Sequence, residues 1–145
     1  MPLFLDVNVW LPMLWQGHAA SGVVHRWVED QSEEFILCRV VQLALLRHLT
    51  NPAIMGDDVF SNEAASSVLV ALGRQSGIVL HAEPPEIDTL FPRLGEDRRP
   101  RRNRWTDAYL AAFAIAGNFK LVSFDRDFAR YEDQGLRWER LEMGG

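Results

Sequence analysis

Short apolar runs alternate with longer amphipathic stretches along this chain. Leu3-Phe4-Leu5, Phe35-Ile36-Leu37-Cys38, Ile78–Leu80 and Leu121-Val122-Ser123-Phe124 are too short for buried helices and predict buried strands. Leu136–Leu141 predicts an edge strand. Val9–Trp15 and Ala19–Val28 predict helices; in the second, Val23, Val24, Trp27 and Val28 share one face. Val40–Leu49 predicts a mostly buried helix closed by Asn51-Pro52, and Ser61–Leu72 a helix ending at Gly73. Thr106–Ala116 predicts an alanine-rich helix stopped by Gly117-Asn118, and Phe128–Tyr131 a short one. Ala82–Asn103 holds Pro84, Pro85, Pro92 and Pro100, so it reads as an irregular, partly helical connection. Buried strands alternating with helices predict an α/β domain with a largely parallel sheet. In such sheets ligands bind beyond the carboxyl ends of the strands, which says where to look for chemistry.

Composition narrows the picture. The 145 residues suit one domain spanning the whole chain, and 48% hydrophobic residues exclude a disordered tail. No apolar stretch approaches the ~18 residues of a membrane span. The N-terminus, Met-Pro-Leu-Phe-Leu-Asp, lacks a basic leader region, so a cytoplasmic protein is expected. A lone cysteine, Cys38, excludes an internal disulfide or a cysteine zinc cluster. His18, His25, His48 and His81 are scattered without metal-ligand spacing.

A net charge of −5 argues against a generic nucleic-acid coat, but the distribution is uneven. Arg98, Arg99, Arg101, Arg102 and Arg104 crowd one window directly before Trp105-Thr106-Asp107. Guanidinium groups bind phosphate bidentately, and an adjacent indole can stack on an unpaired base. This segment is a candidate RNA contact. The plain alternatives are a solvated loop or a clamp for acidic residues of a partner.

Three aspartates fall where the fold would gather ligands. Asp6 directly follows the first strand, Asp125 directly follows Leu121–Phe124, and Asp107 opens the Thr106–Ala116 helix. Any one of them alone is well explained as a helix cap. Together they are not, because two carboxylates about 4–5 Å apart repel by roughly 3–4 kcal/mol at an effective dielectric near 20. Such a cluster needs protonation, basic neighbours or a cation, and oxygen-only ligands suit Mg²⁺ or Mn²⁺. Asn8 would begin a helix; Thr106 would cap its helix and also line the site; Ser123 would hydrogen-bond among the acids or serve as a plain strand residue. Asp127 is a substitute acid or a cap of the short helix. Arg47, on an otherwise apolar helix, calls for a partner. Trp10, Met13, Leu14 and Trp15 pack in the core or form a dimer or partner groove.

Leu-Asp-Val-Asn-Val-Trp (5–10), Thr-Asp-Ala-Tyr-Leu-Ala (106–111) and Val-Ser-Phe-Asp-Arg-Asp-Phe (122–128) resemble, in order and spacing, the three motifs of PIN-domain ribonucleases. The resemblance is closest to the VapC-type toxins of toxin–antitoxin pairs, and residues 42–52 resemble a segment of one branch of them. It implies a three-layer α/β/α sandwich with a mainly parallel sheet. It also implies metal-dependent cleavage of RNA to a 5′-phosphate and a 3′-hydroxyl, a cognate antitoxin and a homodimer. By position, Asp6, Asp107 and Asp125 correspond to the family's catalytic and metal-binding acids, and Asn8 to a small polar residue that orients the first acid or a metal-bound water. The usual fourth, a glutamate, is here Gln42, which still offers a carbonyl oxygen but one negative charge fewer. Two alternatives stand beside a nuclease: a degenerate PIN domain that binds RNA or a protein without cutting, and an aspartyl-phosphate phosphatase. The second lacks its usual Asp-x-Asp, since the pair here is Asp6-x-Asn8.

Overall fold

A computed structural model describes residues 1–144. Its centre is a 5-stranded sheet, parallel throughout, in the order β3-β2-β1-β4-β5. The strands are β1 (Leu3–Leu5), β2 (Phe35–Leu37), β3 (Ile78–Leu80), β4 (Lys120–Ser123) and β5 (Trp138–Arg140). β1 is buried along its whole length, as a central strand covered on both faces must be. The expected edge strand is present as β5.

Seven α-helices complete the sandwich: α1 (Val7–Leu14), α2 (Ser21–Glu29), α3 (Arg39–Leu49), α4 (Pro52–Met55), α5 (Asn62–Arg74), α6 (Ile87–Leu94) and α7 (Arg104–Gly117). α1 packs on α2 and α3, and α3 on α5, while α6 packs on α7 and α7 on β4. α7 can lie close to the sheet because its inward face is small: Ala108, Ala111, Ala112 and Ala114 are fully buried. Larger side chains are buried beside them, Leu110 and Phe113, and the Phe113 ring stacks on Phe4 at 4.7 Å. Asn118 ends the helix in the left-handed conformation, with φ 58°.

Several expectations shift. α1 starts at Val7 rather than Val9, because the Asp6 carboxylate accepts the Val7 N–H at 2.7 Å and so caps the helix. α7 starts at Arg104, which places Thr106 inside the helix, exposed, and not at its cap. The short helix foreseen at Phe128–Tyr131 is a longer 3-10 run, Arg126–Gln134, capped by Asp125 and not by Asp127. α3 is only half buried: Leu43 is 53% exposed and Arg47 lies exposed one turn later on the same side. Arg47 therefore needs no buried partner. Trp10 is fully buried, and Met13, Leu14 and Trp15 pack against the core, so the aromatic content of α1 goes into packing. No helix among the described residues is long and apolar enough to cross a membrane.

The strand order fixes the position of the site. β1, β2 and β3 step outward in one direction, and β4 returns to the other side of β1. The order reverses between β1 and β4, and the crevice beyond their carboxyl ends is where such sheets bind ligands. Leu3, Phe4 and Leu5 pair with Lys120, Leu121 and Val122. Asp6 and Ser123 are thus the next residues out along that crevice.

Candidate active site

Asp6 is 8% exposed and Ser123 is fully buried. The Ser123 hydroxyl donates to Asp6 Oδ2 at 2.7 Å. Ser123 Oγ in turn accepts from the Asn8 amide at 3.1 Å and from the Asp125 N–H at 3.0 Å. Asn8 Oδ1 accepts the Phe124 N–H at 3.2 Å, so both ends of the Asn8 amide tie α1 to the end of β4. Asp125 Oδ1 accepts the Asp127 N–H at 2.9 Å. A serine and an asparagine thereby fix the first and last acids against one another.

Asp107 arrives from the opposite element. α7 leads into β4, so its first turn opens at the carboxyl edge of the sheet, and Asp107 lies in that turn. Burial and then the nearby charges of Asp125 and Asp6 push the Asp107 carboxyl up to about 6, while Arg130 works in the other direction. Asp6 is also raised, chiefly by burial, against the hydrogen bonds from Ser123 and Val7. His48, whose Nδ1 lies 2.7 Å from the Ala44 carbonyl oxygen, is close enough to favour the Asp6 carboxylate slightly. The three predicted acids thus sense one another's charge. Among the described residues, however, no three Asp, Glu, His or Cys side chains stand as a ready-made ligand set. The donors are all hard oxygens with surplus negative charge, which fits a divalent cation in chemistry though not as a finished cage.

Gln42 is buried at 6% exposure, as a site residue would be, but its carbonyl oxygen is taken. Arg39 Nη1 donates to Oε1 at 2.6 Å. The identity of that oxygen is not in question, since a guanidinium has no lone pair to accept from the amide nitrogen. Asp127 is exposed and pairs with Arg130 at 3.4 Å. His18 Nδ1 accepts the Ala20 N–H, a purely structural use.

The arginine segment divides. Arg101 and Arg104 both pair with Asp97, at 3.5 and 3.2 Å. The Asp97 carboxyl is held below its usual range by the Arg99 N–H first and by these guanidinium groups. Arg98, Arg99 and Arg102 make no ion pair among the described residues. Arg101, Arg102 and Arg104 border a cavity of about 400 Å³ that also meets Asp107 and Asp127. Arg98 and Arg99 instead share a cavity of about 790 Å³ with Trp105. Trp105 is 53% exposed, sits edge-on to Phe91 and does not line the cavity of Asp107. The expected single basic patch is therefore a continuous loop with two faces.

Sequence inspection missed Arg130 and Asp97. Both had a signal, an opposite charge three or four residues away: Asp127 with Arg130, and Asp97 with Arg101.

A family model described as PIN domain matches residues 3–134. Ribonuclease VapC41 of Mycobacterium tuberculosis is 33% identical over 141 residues, which cover 93% of this chain and 97% of that protein. Among solved structures, VapC20 of Mycobacterium tuberculosis, described as a sarcin-ricin loop cleaving toxin, matches with a TM-score of 0.67 at 16% identity. That match covers 95% of this chain and 98% of the other. VapBC-1 from nontypeable Haemophilus influenzae matches with a TM-score of 0.64 at 16% identity, over 97% and 98% of the two chains. At these identities the structural matches speak for the fold, and the family model and the VapC41 match speak for the family.

Proposed function

The chain belongs to the PIN-domain family, and from that premise we propose that it is a metal-dependent endoribonuclease, the toxin of a toxin–antitoxin pair. Asp6, Asp107 and Asp125 would hold the ion, with Mg²⁺ or Mn²⁺ the natural candidates for an all-oxygen set. When bound, such an ion lowers the pKa of water and stabilises charge on the phosphodiester. In the hydrolysis, the water oxygen bonds to phosphorus and the P–O3′ bond breaks, leaving a 5′-phosphate and a 3′-hydroxyl.

The chain's own residues orient this chemistry. Ser123 and Asn8 hold Asp6 and the Asp125 backbone in a fixed relation. Asp107 stands on the far side of the crevice, and its carboxyl, raised to about 6 without an ion, would give up its proton where a cation binds. Arg98, Arg99, Arg101, Arg102, Arg104 and Trp105 supply the RNA-facing rim. Asp127 and Thr106 are supporting residues at its edge. A cognate antitoxin and a second copy of the chain are the protein partners of this reading, and the cytoplasm its setting.

The observation that carries it lies at the β1–β4 switch point, where the charges of Asp125 and Asp6 both act on the Asp107 carboxyl. A second reading, a PIN domain that binds without cutting, draws on the engagement of Gln42 by Arg39. Incubating structured RNA with Mg²⁺ or Mn²⁺ and comparing wild type with Asp107→Asn separates the two. Wild type is expected to cut at least about a hundredfold faster, with both proteins equally folded. Equal rates would point to a contaminant, and no cutting by either despite metal binding would favour the non-cleaving reading.

A further inference from the structure

Arg130 has no part in the machinery described so far, yet it lines the same cavity of about 400 Å³ as Asp107. Its Nη2 makes one long ion pair, 3.4 Å to Asp127, a side chain that is itself 56% exposed. Its guanidinium carbon lies 5.7 Å from the centre of the Tyr131 ring, and Tyr131 is buried, so the planar group is held in place from below. Its Nη1 is shut off from solvent, so a ligand in the cavity meets the more open part of the guanidinium, which Asp127 now holds through Nη2.

We propose that Arg130 is a catalytic residue whose guanidinium gives up exposed Asp127 to bind a non-bridging oxygen of the RNA phosphate at Asp107, which rests on the ribonuclease reading above. An ion pair this long and this exposed holds little, so a phosphate oxygen can take the place of Asp127 on Nη2. The ligand must be an anion rich in acceptor oxygens, because the cavity is otherwise lined by Arg101, Arg102 and Arg104. It must also approach next to two carboxylates, Asp107 and Asp127, which repel a bare anion unless the reaction itself needs them there. A phosphodiester being hydrolysed meets both conditions. A rigid guanidinium fork suits it better than an ammonium would.

The test has two arms. In the first, cleavage kinetics of a looped RNA with Mg²⁺ are compared for wild type, Arg130→Gln and Arg130→Lys. Arg130→Gln is expected to lower kcat about a hundredfold with KM changed less than about threefold, and Arg130→Lys to fall between the two. In the second, Asp107→Asn serves as a non-cutting background, and binding of a short RNA with a 5′-phosphate is compared with the 5′-hydroxyl form. The phosphorylated RNA is expected to bind about tenfold tighter with Arg130 present, and equally with Arg130→Gln. A preference that survives Arg130→Gln, or an unchanged kcat, overturns the proposal. If Arg130→Gln melts early, Arg130→Lys decides: a phosphate preference cut at least about threefold supports the contact, and an unchanged one overturns it. If wild type cuts no RNA at all, the ribonuclease reading fails by itself, and the phosphate preference still reports on Arg130.

Discussion

The Ser123 hydroxyl and the Asp6 carboxylate meet at 2.7 Å across the boundary between β4 and β1. One proton goes to Asp6, and the two lone pairs receive Asn8 and the Asp125 N–H, so the hydroxyl is used to capacity. Replacing Ser123 with alanine would leave a buried carboxylate and two donors short of a partner. Ser123→Ala is expected to cost about 1.5–3 kcal/mol, the range for hydrogen bonds to charged groups. It should also raise the Asp6 carboxyl further. A denaturant midpoint within error of wild type would contradict the role.

Stability should depend on pH in the direction opposite to that of an ordinary salt-bridged protein. Asp107 and Asp6 both have carboxyl groups raised in the folded state. The folded chain therefore holds protons that the unfolded chain has already released, and unfolding becomes easier as pH rises. For Asp107 the contribution is fully present below about 3.8 and is lost as pH climbs through about 6. Discounted for solvent screening, it amounts to about 1–2 kcal/mol. Without divalent ions, the melting temperature is expected to be lower at pH 7.5 than at pH 5. Adding Mg²⁺ should restore it at pH 7.5 and do little at pH 5, where protons already neutralise the cluster. A melting temperature that rises steadily from pH 5 to 7.5 without metal would count against the coupled acids.

The sheet was legible because each strand is a short, nearly uninterrupted apolar run, and the parallel sense followed from the helices between them. From there the positions of Asp6 and Asp125 were a matter of counting past a strand: Asp6 lies one residue beyond β1, and Asp125 two beyond β4, which ends one residue short of the expected run. Asp107 was found because its helix is so evidently alanine-rich. What the sequence hid was which side chains hold one another. Arg39 and Gln42 are three residues apart on one helix, and nothing in their spacing says that the guanidinium turns to the amide rather than to solvent. Trp105 follows the arginines in sequence, but two residues along a helix is about 200° of rotation, so it faces away from Asp107. The cap and site readings of Asp6 stood as alternatives, yet a residue that ends a strand and starts a helix can serve both, as Asp6 does, and α1 accordingly starts two residues earlier than expected.

The unpaired arginines give a prediction independent of cutting. Arg98, Arg99 and Arg102 have no acidic partner among the described residues, whereas Arg101 and Arg104 are anchored on Asp97. Neutralising the free three should act on RNA affinity with little effect on the fold. Each phosphate no longer neutralised should reduce the slope of log Kd against log salt by about 0.7 for single-stranded RNA. In the Asp107→Asn background, the triple alanine variant is expected to lower that slope by about 2 and to leave the melting temperature unchanged. An unaltered slope would return this loop to a solvated surface or to a protein partner.

Position 42 decides how the metal site differs from one with a fourth acid. Gln42 Oε1 is held by Arg39 Nη1 at 2.6 Å, and the side chain is buried. A glutamate introduced there would meet the guanidinium first, and an ion pair formed in a desolvated place keeps its charge to itself. Gln42→Glu alone is therefore expected to change Mg²⁺ affinity by less than about threefold, worth under about 0.7 kcal/mol. Removing the arginine as well should release the carboxylate toward the other acids. Gln42→Glu with Arg39→Ala is expected to bind Mg²⁺ about tenfold tighter than wild type, close to 1.4 kcal/mol. Arg39→Ala alone should not tighten binding, since the freed amide adds no charge. Titration calorimetry of the four proteins measures all three differences. If Gln42→Glu alone already gives the full tightening, Arg39 does not govern this position, and the missing charge of the glutamine is the whole difference.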